Sequence, residues 1–222
     1  MCRSTGSPPL GYDMLLFMKN SIQLCMFDMG GVLALHSDVT MEGKLLKDFG
    51  LSGYSSFSDL DPTLPALLME HSMGKITEDE MWHQFTLKTK VSVPAHTDSL
   101  WCRYFQPELN DIVLSLIQEL KEKGFRVVCA TNTEQAHYEY HRRHGQYDVF
   151  DAVYTSIALQ KAKPDPAFFE KILQAEHMQA NDVFFCDDYP ENCEAASALG
   201  INAVLYTDPV DLRWKLADME IL

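Results

Sequence analysis

Short runs of consecutive apolar residues recur along the chain and predict the strands of a buried sheet. The clearest runs are 22–27, 125–130, 183–186 and 201–206, and a weaker one is 152–155. Each run is shorter than a typical helix, alternates little between apolar and polar residues, and ends at polar or turn-forming residues. This combination is typical of parallel strands that are covered on both faces.

Segments with helical periodicity separate these runs. In 108–123 the apolar positions form a single stripe, and Gly124 follows it as an expected helix end. The stripe consists of Ile112, Val113, Leu116, Ile117 and Leu120. Further helices are predicted at 134–143, 166–176 and 190–199 and from Pro209 onward. The alternation of strands and helices predicts an α/β fold with a doubly wound, Rossmann-like parallel sheet.

The interval 37–104 breaks this alternation, because it contains several helical patterns and no convincing strand. Thr77 and Glu80 form a capping-box pattern, and Gly50 and Gly74 are expected helix ends. The interval leaves the sheet after the first strand, so it would lie over the edge at which open α/β sheets bind ligands. We therefore predict an all-helical cap inserted into the core, with the role of a lid.

These patterns divide the chain into three predicted parts. The core comprises 18–36 and 105–222, the inserted cap is 37–104, and 1–17 is a disordered N-terminal extension. Large apolar residues of the cap lie at helical spacing, which favours packing within the cap's own core over contact with a substrate. These residues are Tyr54, Phe57, Met69, Trp82 and Phe85.

The charge balance argues against several classes of partner. The 222 residues carry a formal net charge of −14, which disfavours unaided binding to nucleic acid or to an anionic membrane. No apolar stretch approaches the roughly 18 residues of a membrane span. The six cysteines include no CxxC pair, so a reducing cytoplasm is the expected location.

Polar residues that follow the predicted strands are the candidates for chemistry. Asp28 follows the first strand, Thr131 the second, and the pair Asp187 and Asp188 the fourth. Lys163 precedes a predicted helix and would come from a loop at the same edge of the sheet. Because the carboxyl ends of parallel strands meet at one edge, we expect these side chains to converge.

This set suits phosphoryl transfer to a carboxylate. Asp28 would attack phosphorus, and Mg²⁺ held by Asp28 and Asp187 would screen the repulsion between the two anions. Lys163 adds a fixed positive charge, and the Thr131 hydroxyl can donate a hydrogen bond to a phosphate oxygen. Gly30 and its neighbour leave the loop after Asp28 open to the metal.

Each residue alone also has a purely structural explanation. An acid at a strand end often stabilises a turn, Thr133 is an expected N-cap of the following helix, and Asp187 with Asp188 could form a turn and cap. A single lysine such as Lys163 is most often a solvated surface residue. The conjunction of these groups, each at a strand exit or in a loop at one edge, favours the functional interpretation.

Four segments in order resemble the motifs of the haloacid dehalogenase superfamily: FDMGGVL, ATNT, KAKPDPAFF and FFCDDYPEN. The resemblance spans nearly the whole chain and implies a Rossmann-like core with a helical cap inserted after the first strand. It implies that Asp28 is the nucleophile and that the Gly30 carbonyl and Asp187 bind the metal. Thr131 and Asn132 resemble phosphate-binding residues, Lys163 the charge-neutralising lysine, and Asp188 a residue that supports the lysine and the metal shell.

One position departs from the family pattern. Most phosphatases of the superfamily carry a second Asp two residues after the nucleophile as general acid and base, and here that position is Gly30. A good leaving group, such as that of a sugar 1-phosphate, would reduce the need for this acid. The FD-x-G-G/N-V motif resembles a bacterial branch that contains glucose-1-phosphate phosphatases. His36 or Asp38 could act instead, although a hinge or helix-cap role is the simpler interpretation of both.

We therefore expect a Mg²⁺-dependent phosphatase that acts on a small, sugar-like phosphomonoester. A dehalogenase, in which Asp28 would attack carbon, is an alternative; the acid pair Asp187 and Asp188 counts against it, because dehalogenases need no metal. A third alternative is a protein that binds a phosphorylated ligand without catalysis.

Overall fold

The central sheet consists of five parallel strands. The computed structural model describes residues 22–35 and 40–222. The strands are β1 (Leu24–Phe27), β2 (Arg126–Thr131), β3 (Ala152–Thr155), β4 (Val183–Asp187) and β5 (Asn202–Leu205), in the order β3-β2-β1-β4-β5. Every strand predicted from an apolar run is present, with small differences at the ends.

Helices separate the strands and form a group of their own between β1 and β2. In the described part of the chain they are α1 (Met41–Asp48), α2 (Phe57–Leu60), α3 (Leu64–Ser72), α4 (Glu78–Thr89), α5 (Asp111–Glu122), α6 (Gln135–Arg143), α7 (Ser156–Leu159), α8 (Pro166–Glu176), α9 (Pro190–Ala198) and α10 (Pro209–Asp218). The helix predicted from 108 begins at Asp111, because the Asn110 side chain caps it by accepting the N–H groups of Ile112 and Val113.

Alternate residues of the strands face two separate hydrophobic layers. In β1, Cys25 and Phe27 pack with α5 and α10, whereas Leu24 and Met26 pack with α8 and α9. Both faces of the sheet are therefore covered, which explains why its strands are nearly continuous apolar runs. The predicted doubly wound α/β class is confirmed.

The register of the central strands brings two acids together. Phe27 of β1 pairs with Cys186 of β4, and the N–H of Asp28 donates to the Cys186 carbonyl over 2.9 Å. Asp28 and Asp187 therefore end neighbouring strands at the same edge of the sheet. β2 lies on the other side of β1 and brings Thr131 to that edge.

The helical segment 40–104 contains α1 to α4 and no strand, and it packs around its own aromatic cluster. Phe57 is fully buried and lies edge-on to Trp82, Phe85 and Trp101 at centroid distances of 5.5–6.0 Å. The predicted core role of Phe57, Trp82 and Phe85 is confirmed. It is wrong for Tyr54 and Met69, which are 40% and 37% exposed. Tyr54 lies in the loop between α1 and α2, where helical spacing does not apply, and α3 buries Leu64, Leu67 and His71 rather than Met69.

The capping pattern predicted within the helical segment is present at the start of α4. Thr77 accepts the N–H of Glu80 over 3.2 Å, and the Glu80 carboxylate accepts the N–H of Thr77 over 2.8 Å. Gly50 and Gly74 follow the ends of α1 and α3 with φ of +81° and +65°. These positions favour glycine, because other residues rarely adopt positive φ.

The helical segment leaves and rejoins the sheet side by side. The Leu35 N–H donates to the Glu108 carbonyl, and the Asn110 N–H donates to the Leu33 carbonyl, both over 2.8 Å. The residues predicted as an N-terminal extension (1–17) and the predicted hinge residues His36 and Asp38 lie outside the described part of the chain. In the ranges that are described, no helix combines the length and apolar character needed to cross a membrane.

Replacing Phe57 with alanine tests the importance of the aromatic cluster. Phe57→Ala should lower the free energy of unfolding by about 3–5 kcal/mol, because it removes a fully buried aromatic ring and leaves a cavity. Leu87→Ala, in the same segment but 55% exposed, should change it by less than about 0.5 kcal/mol. Urea unfolding followed by tryptophan fluorescence measures both variants. Equal effects would contradict the assigned core.

Candidate active site

A buried lysine joins two of the predicted site residues. The Lys163 ammonium nitrogen lies 2.9 Å from Asp28 Oδ1 and 2.6 Å from Asp187 Oδ2. Its side chain is 1% exposed, so it is not the solvated surface lysine that sequence statistics would favour. The predicted convergence of Asp28 and Asp187 with the loop residue Lys163 is therefore present in the structure.

The Asp187 carboxylate is held by several donors. Its Oδ1 accepts the main-chain N–H of Tyr189 over 2.8 Å and the side-chain amide of Asn192 over 2.9 Å. Asn192 lies in the first turn of α9, so the helix that follows β4 fixes the carboxylate from behind. Since Asp187 is fully buried, these donors and Lys163 offset the cost of removing its charge from water.

Burial and neighbouring charges determine the protonation of this group. Burial raises the pKa of Asp28 to about 6, against the opposing effect of Lys163. Burial also disfavours the charge on Lys163, but the carboxylates of Asp28 and Asp187 outweigh it and raise the pKa of the lysine. Lys163 is therefore a permanent positive charge at neutral pH.

Asn132 fixes the loop that carries Lys163. Its side-chain amide donates to the Lys163 carbonyl, and its amide oxygen accepts the Lys163 N–H, both over 2.9 Å. This reciprocal pair joins residues that lie 31 positions apart in the chain. The side chain of this predicted phosphate ligand therefore has a second role, which is to position the lysine.

The residues after β2 contact the start of α7. Thr131 ends the strand and is 3% exposed. Thr133 does not cap α6 as predicted: the N-cap is Glu134, which makes no side-chain capping bond. The Thr133 N–H instead donates over 2.9 Å to the hydroxyl of Ser156. Ser156 is not among the predicted site residues, although it directly follows β3 and its position at a strand exit, like that of Asp28 and Thr131, is a signal that the sequence contains.

A tight turn follows Asp28. The N–H groups of Leu33 and Ala34 donate to the Met29 carbonyl, and the Gly31 N–H donates to the Ala34 carbonyl over 2.8 Å. Gly31 has φ of +75°, a conformation that favours glycine. The turn keeps Gly30 next to the strand end that carries Asp28.

Three carboxylates at this edge fit a divalent cation. Oxygens of Asp28, Asp187 and Asp188 lie within 4.8 Å of one another. Carboxylate and carbonyl oxygens are the hard ligands that Mg²⁺ prefers. The residues present therefore match the predicted metal chemistry.

Comparison with known proteins places the chain in a family. A family profile for haloacid dehalogenase-like hydrolases matches residues 64–206, more than half of the chain. The chain belongs to this family. The family resemblance inferred from the four motifs is thereby confirmed, while the glucose-1-phosphate phosphatase branch is not.

Two curated relatives of this haloacid dehalogenase-like hydrolase are fungal. The sesquiterpene phosphatase astK of Aspergillus oryzae is 29% identical over 196 residues, which cover 86% of this chain and 93% of that protein. The drimenol cyclase drtB of Aspergillus calidoustus is 26% identical over 156 residues, which cover 68% of this chain but 29% of the cyclase. The match therefore covers nearly the whole length of astK but only one part of drtB.

Among solved structures, a haloacid dehalogenase family enzyme from Bacteroides thetaiotaomicron has the same fold. It was solved in complex with magnesium and inorganic phosphate. The TM-score is 0.65 at 22% identity, and the alignment covers 84% of this chain and 94% of the bacterial one.

Replacing Lys163 with methionine tests the buried ion cluster of the hydrolase. In the presence of EDTA at pH 8, Lys163→Met should lower the free energy of unfolding by about 3–5 kcal/mol, because it leaves buried carboxylates unpaired. The exposed Lys123→Met, at the end of α5, should change it by less than about 0.5 kcal/mol. Chemical denaturation measures both, and a Lys163 variant as stable as the Lys123 variant would contradict the cluster.

Proposed function

We propose that the protein is a Mg²⁺-dependent phosphatase that hydrolyses a small phosphomonoester through an aspartyl-phosphate at Asp28. The observation that carries this proposal is the buried Lys163 between Asp28 and Asp187, with Asp188 close to both acids. A lysine and three carboxylates at one strand edge combine charge neutralisation, a nucleophile and hard metal ligands.

Asp28 is the proposed nucleophile. Its hydrogen bonds from described residues, donated by Lys163 and by the Met29 N–H, all reach Oδ1, so we assign the attack to Oδ2. The new bond to phosphorus forms as the bond to the leaving oxygen breaks, and that oxygen takes a proton from water or a nearby donor. Water then attacks phosphorus, which releases inorganic phosphate and restores the carboxylate.

The other site residues hold the phosphate and the charges around it. Lys163 offsets the negative charge shared by Asp28 and the substrate. We assign the hydroxyl of Thr131 and the main chain of Asn132 to the phosphate oxygens, since the Asn132 side chain bonds to Lys163.

The proposed metal ligands are the carboxylates of Asp28 and Asp187 and the carbonyl of Gly30, with Asp188 in support. When bound, Mg²⁺ would neutralise phosphate charge and bring the two anions together. The bacterial enzyme of the same fold, solved with magnesium and phosphate, supports this assignment.

The two alternative functions, a dehalogenase and a non-catalytic phosphate-binding protein, would need different residues from a phosphatase. A dehalogenase would attack carbon without a metal, so it would have no use for Asp188 beside Asp28 and Asp187. A protein that binds phosphate without catalysis would need Lys163 and Thr131 but not an oriented nucleophile. The match to a protein named as a phosphatase along 93% of its length favours the catalytic proposal.

The first candidate substrate is a sugar 1-phosphate. Gly30 lacks the acid that would protonate a leaving oxygen, and general acid catalysis contributes about 10²–10⁴ in rate. An anomeric hydroxyl is more acidic than an ordinary alcohol and needs less help.

A specific observation favours a second candidate, an isoprenoid phosphate. Large apolar side chains are exposed in both segments that carry the acids: Leu35 follows the turn after Asp28 and is 44% exposed, and Tyr189 directly follows Asp188 and is 56% exposed. We assign these side chains to a hydrocarbon tail, which they would suit better than a sugar. The relative astK is named as a sesquiterpene phosphatase, which points to the same chemistry.

The helical segment is the proposed cap. It follows β1 in the chain, and its two connections run side by side through Leu35 and Glu108. We propose that residues 37–104 cover the leaving group, while 18–36 and 105–222 hold the phosphate. The cysteines of the described residues are all free, in keeping with the proposed cytoplasmic location.

Hydrolysis of p-nitrophenyl phosphate tests the reaction class. The wild-type protein should release p-nitrophenol with Mg²⁺ and lose this activity in EDTA, because metal and nucleophile act together. Asp28→Asn should lower kcat at least about 10³-fold, whereas Asp218→Asn, at the exposed end of α10, should leave it unchanged. Metal-independent release of halide from 2-haloacids would establish the dehalogenase instead.

A panel of phosphates distinguishes the two substrate classes. We expect a kcat/KM for farnesyl monophosphate at least about tenfold above that for glucose 1-phosphate. Tyr189→Ala should remove most of this preference, because loss of about 1.4 kcal/mol of apolar contact is a factor of ten. Trp214→Ala, 73% exposed on α10, is the control. Preference for glucose 1-phosphate over both farnesyl and glucose 6-phosphate would instead support the sugar class.

A further inference from the structure

A buried serine joins the phosphate loop, residues 131–134, to the helical segment. The Ser156 side chain is fully buried at the start of α7. Its hydroxyl accepts the N–H of Thr133 over 2.9 Å. The hydroxyl oxygen lies 2.6 Å from the Ser72 carbonyl and 3.0 Å from the Thr133 carbonyl, and we assign its single proton to Ser72, the nearer acceptor. Ser72 ends α3, where helix carbonyls have no partner within the helix.

A second contact occurs at the same place. A side chain at Gly74, just past the end of α3, would bring its Cβ to 3.1 Å from Cγ2 of Ile157. Gly74 comes two residues after Ser72, and Ile157 directly follows Ser156, so this approach lies beside the hydrogen bond between the two serines. The end of α3 therefore lies against α7, with one hydrogen bond and a close approach of the Gly74 backbone to the Ile157 side chain.

The position of this contact matters for the proposed reaction. Thr133 lies two residues after Thr131, which we assign to the phosphate, while α3 belongs to the proposed cap. One hydroxyl thus bonds to both bodies between which the substrate would lie. A displacement of about 1 Å between substrate-holding groups can lower a rate about 10²-fold.

We propose that Ser156 is a positioning residue that fixes the end of α3 against the phosphate loop and thereby sets the distance between the cap and Asp28. This inference rests on the proposed phosphatase function for its effect on catalysis, but the physical link between loop and cap can be measured without it. Ser156 touches neither phosphate nor metal and acts through Thr133 and Ser72.

Removal of the hydroxyl tests the catalytic consequence. Ser156→Ala should lower kcat for p-nitrophenyl phosphate about 10- to 100-fold while KM changes less than about threefold, because binding groups remain but are misplaced. Ser156→Thr, which keeps the hydroxyl, should recover kcat. A folded alanine variant with wild-type kcat would overturn the proposal.

Variants of Gly74 and Ile157 test the same contact without changing Ser156. They are needed if the threonine variant does not fold in so tight a site. Gly74→Ala should crowd Ile157 and lower kcat, and adding Ile157→Ala should recover the part of the loss that the crowding causes. The rest persists, because alanine is disfavoured at the φ of +65° in both variants. Gly124→Ala is the matched control, since Gly124 also has positive φ but open space around it. Equal kcat values for the Gly74 and Gly124 variants would count against the contact.

Hydrogen exchange separates this inference from the phosphatase proposal. Ser156→Ala should speed amide exchange both in the phosphate loop, at Thr133, and at the α3 end, at Met73 and Gly74, but not in α5. If the wild type hydrolysed no phosphate ester, the phosphatase proposal would fail while this measurement still tested the link. Faster exchange in the loop alone would overturn the link between loop and cap.

Discussion

The burial of one positive charge between two negative ones constrains the whole carboxyl edge of the sheet. Lys163 cannot lie 1% exposed without partners, and Asp28 and Asp187 cannot both be ionised and buried without a cation between them. The register of β1 and β4 fixes the acids as neighbours, so the loop before α8 must bring its lysine to that point. The side-chain amide of Asn132 holds that loop through the main-chain N–H and carbonyl of Lys163.

Consecutive residues of the proposed phosphate loop, 131–134, connect the parts of this site. Thr131 ends the strand beside Asp28, Asn132 holds Lys163, and Thr133 bonds to Ser156, which reaches the helical segment. Glu134 then pairs with His137 at the start of α6. Each residue contacts a different part of the molecule, so the arrangement of Asp28, Lys163 and the proposed cap depends on one short stretch of backbone.

Sequence periodicity predicted the sheet and the convergence of its strand-end residues, because short apolar runs and the parallel topology leave few alternatives. It did not predict the second role of Asn132, which depends on a loop conformation 31 residues away. Nor could helical spacing reveal that Tyr54 and Met69 are exposed while Phe57 is buried, since Tyr54 lies in a loop and α3 buries other residues than Met69. Thr133 was expected to cap α6, but its hydroxyl donates to the Glu134 carbonyl and the helix begins one residue later, with Glu134 as the N-cap.

The proposed mechanism places a covalent phosphoryl group on Asp28 during turnover, and chemical trapping measures it most directly. Protein mixed with p-nitrophenyl phosphate and Mg²⁺ is quenched in acid during turnover, reduced with borohydride, digested and analysed by mass spectrometry. An aspartyl-phosphate is reduced to homoserine, so we expect homoserine at position 28 and an unchanged Asp187. Phosphate release during turnover with Asp28 unmodified, or with the modification on another carboxylate, would contradict it.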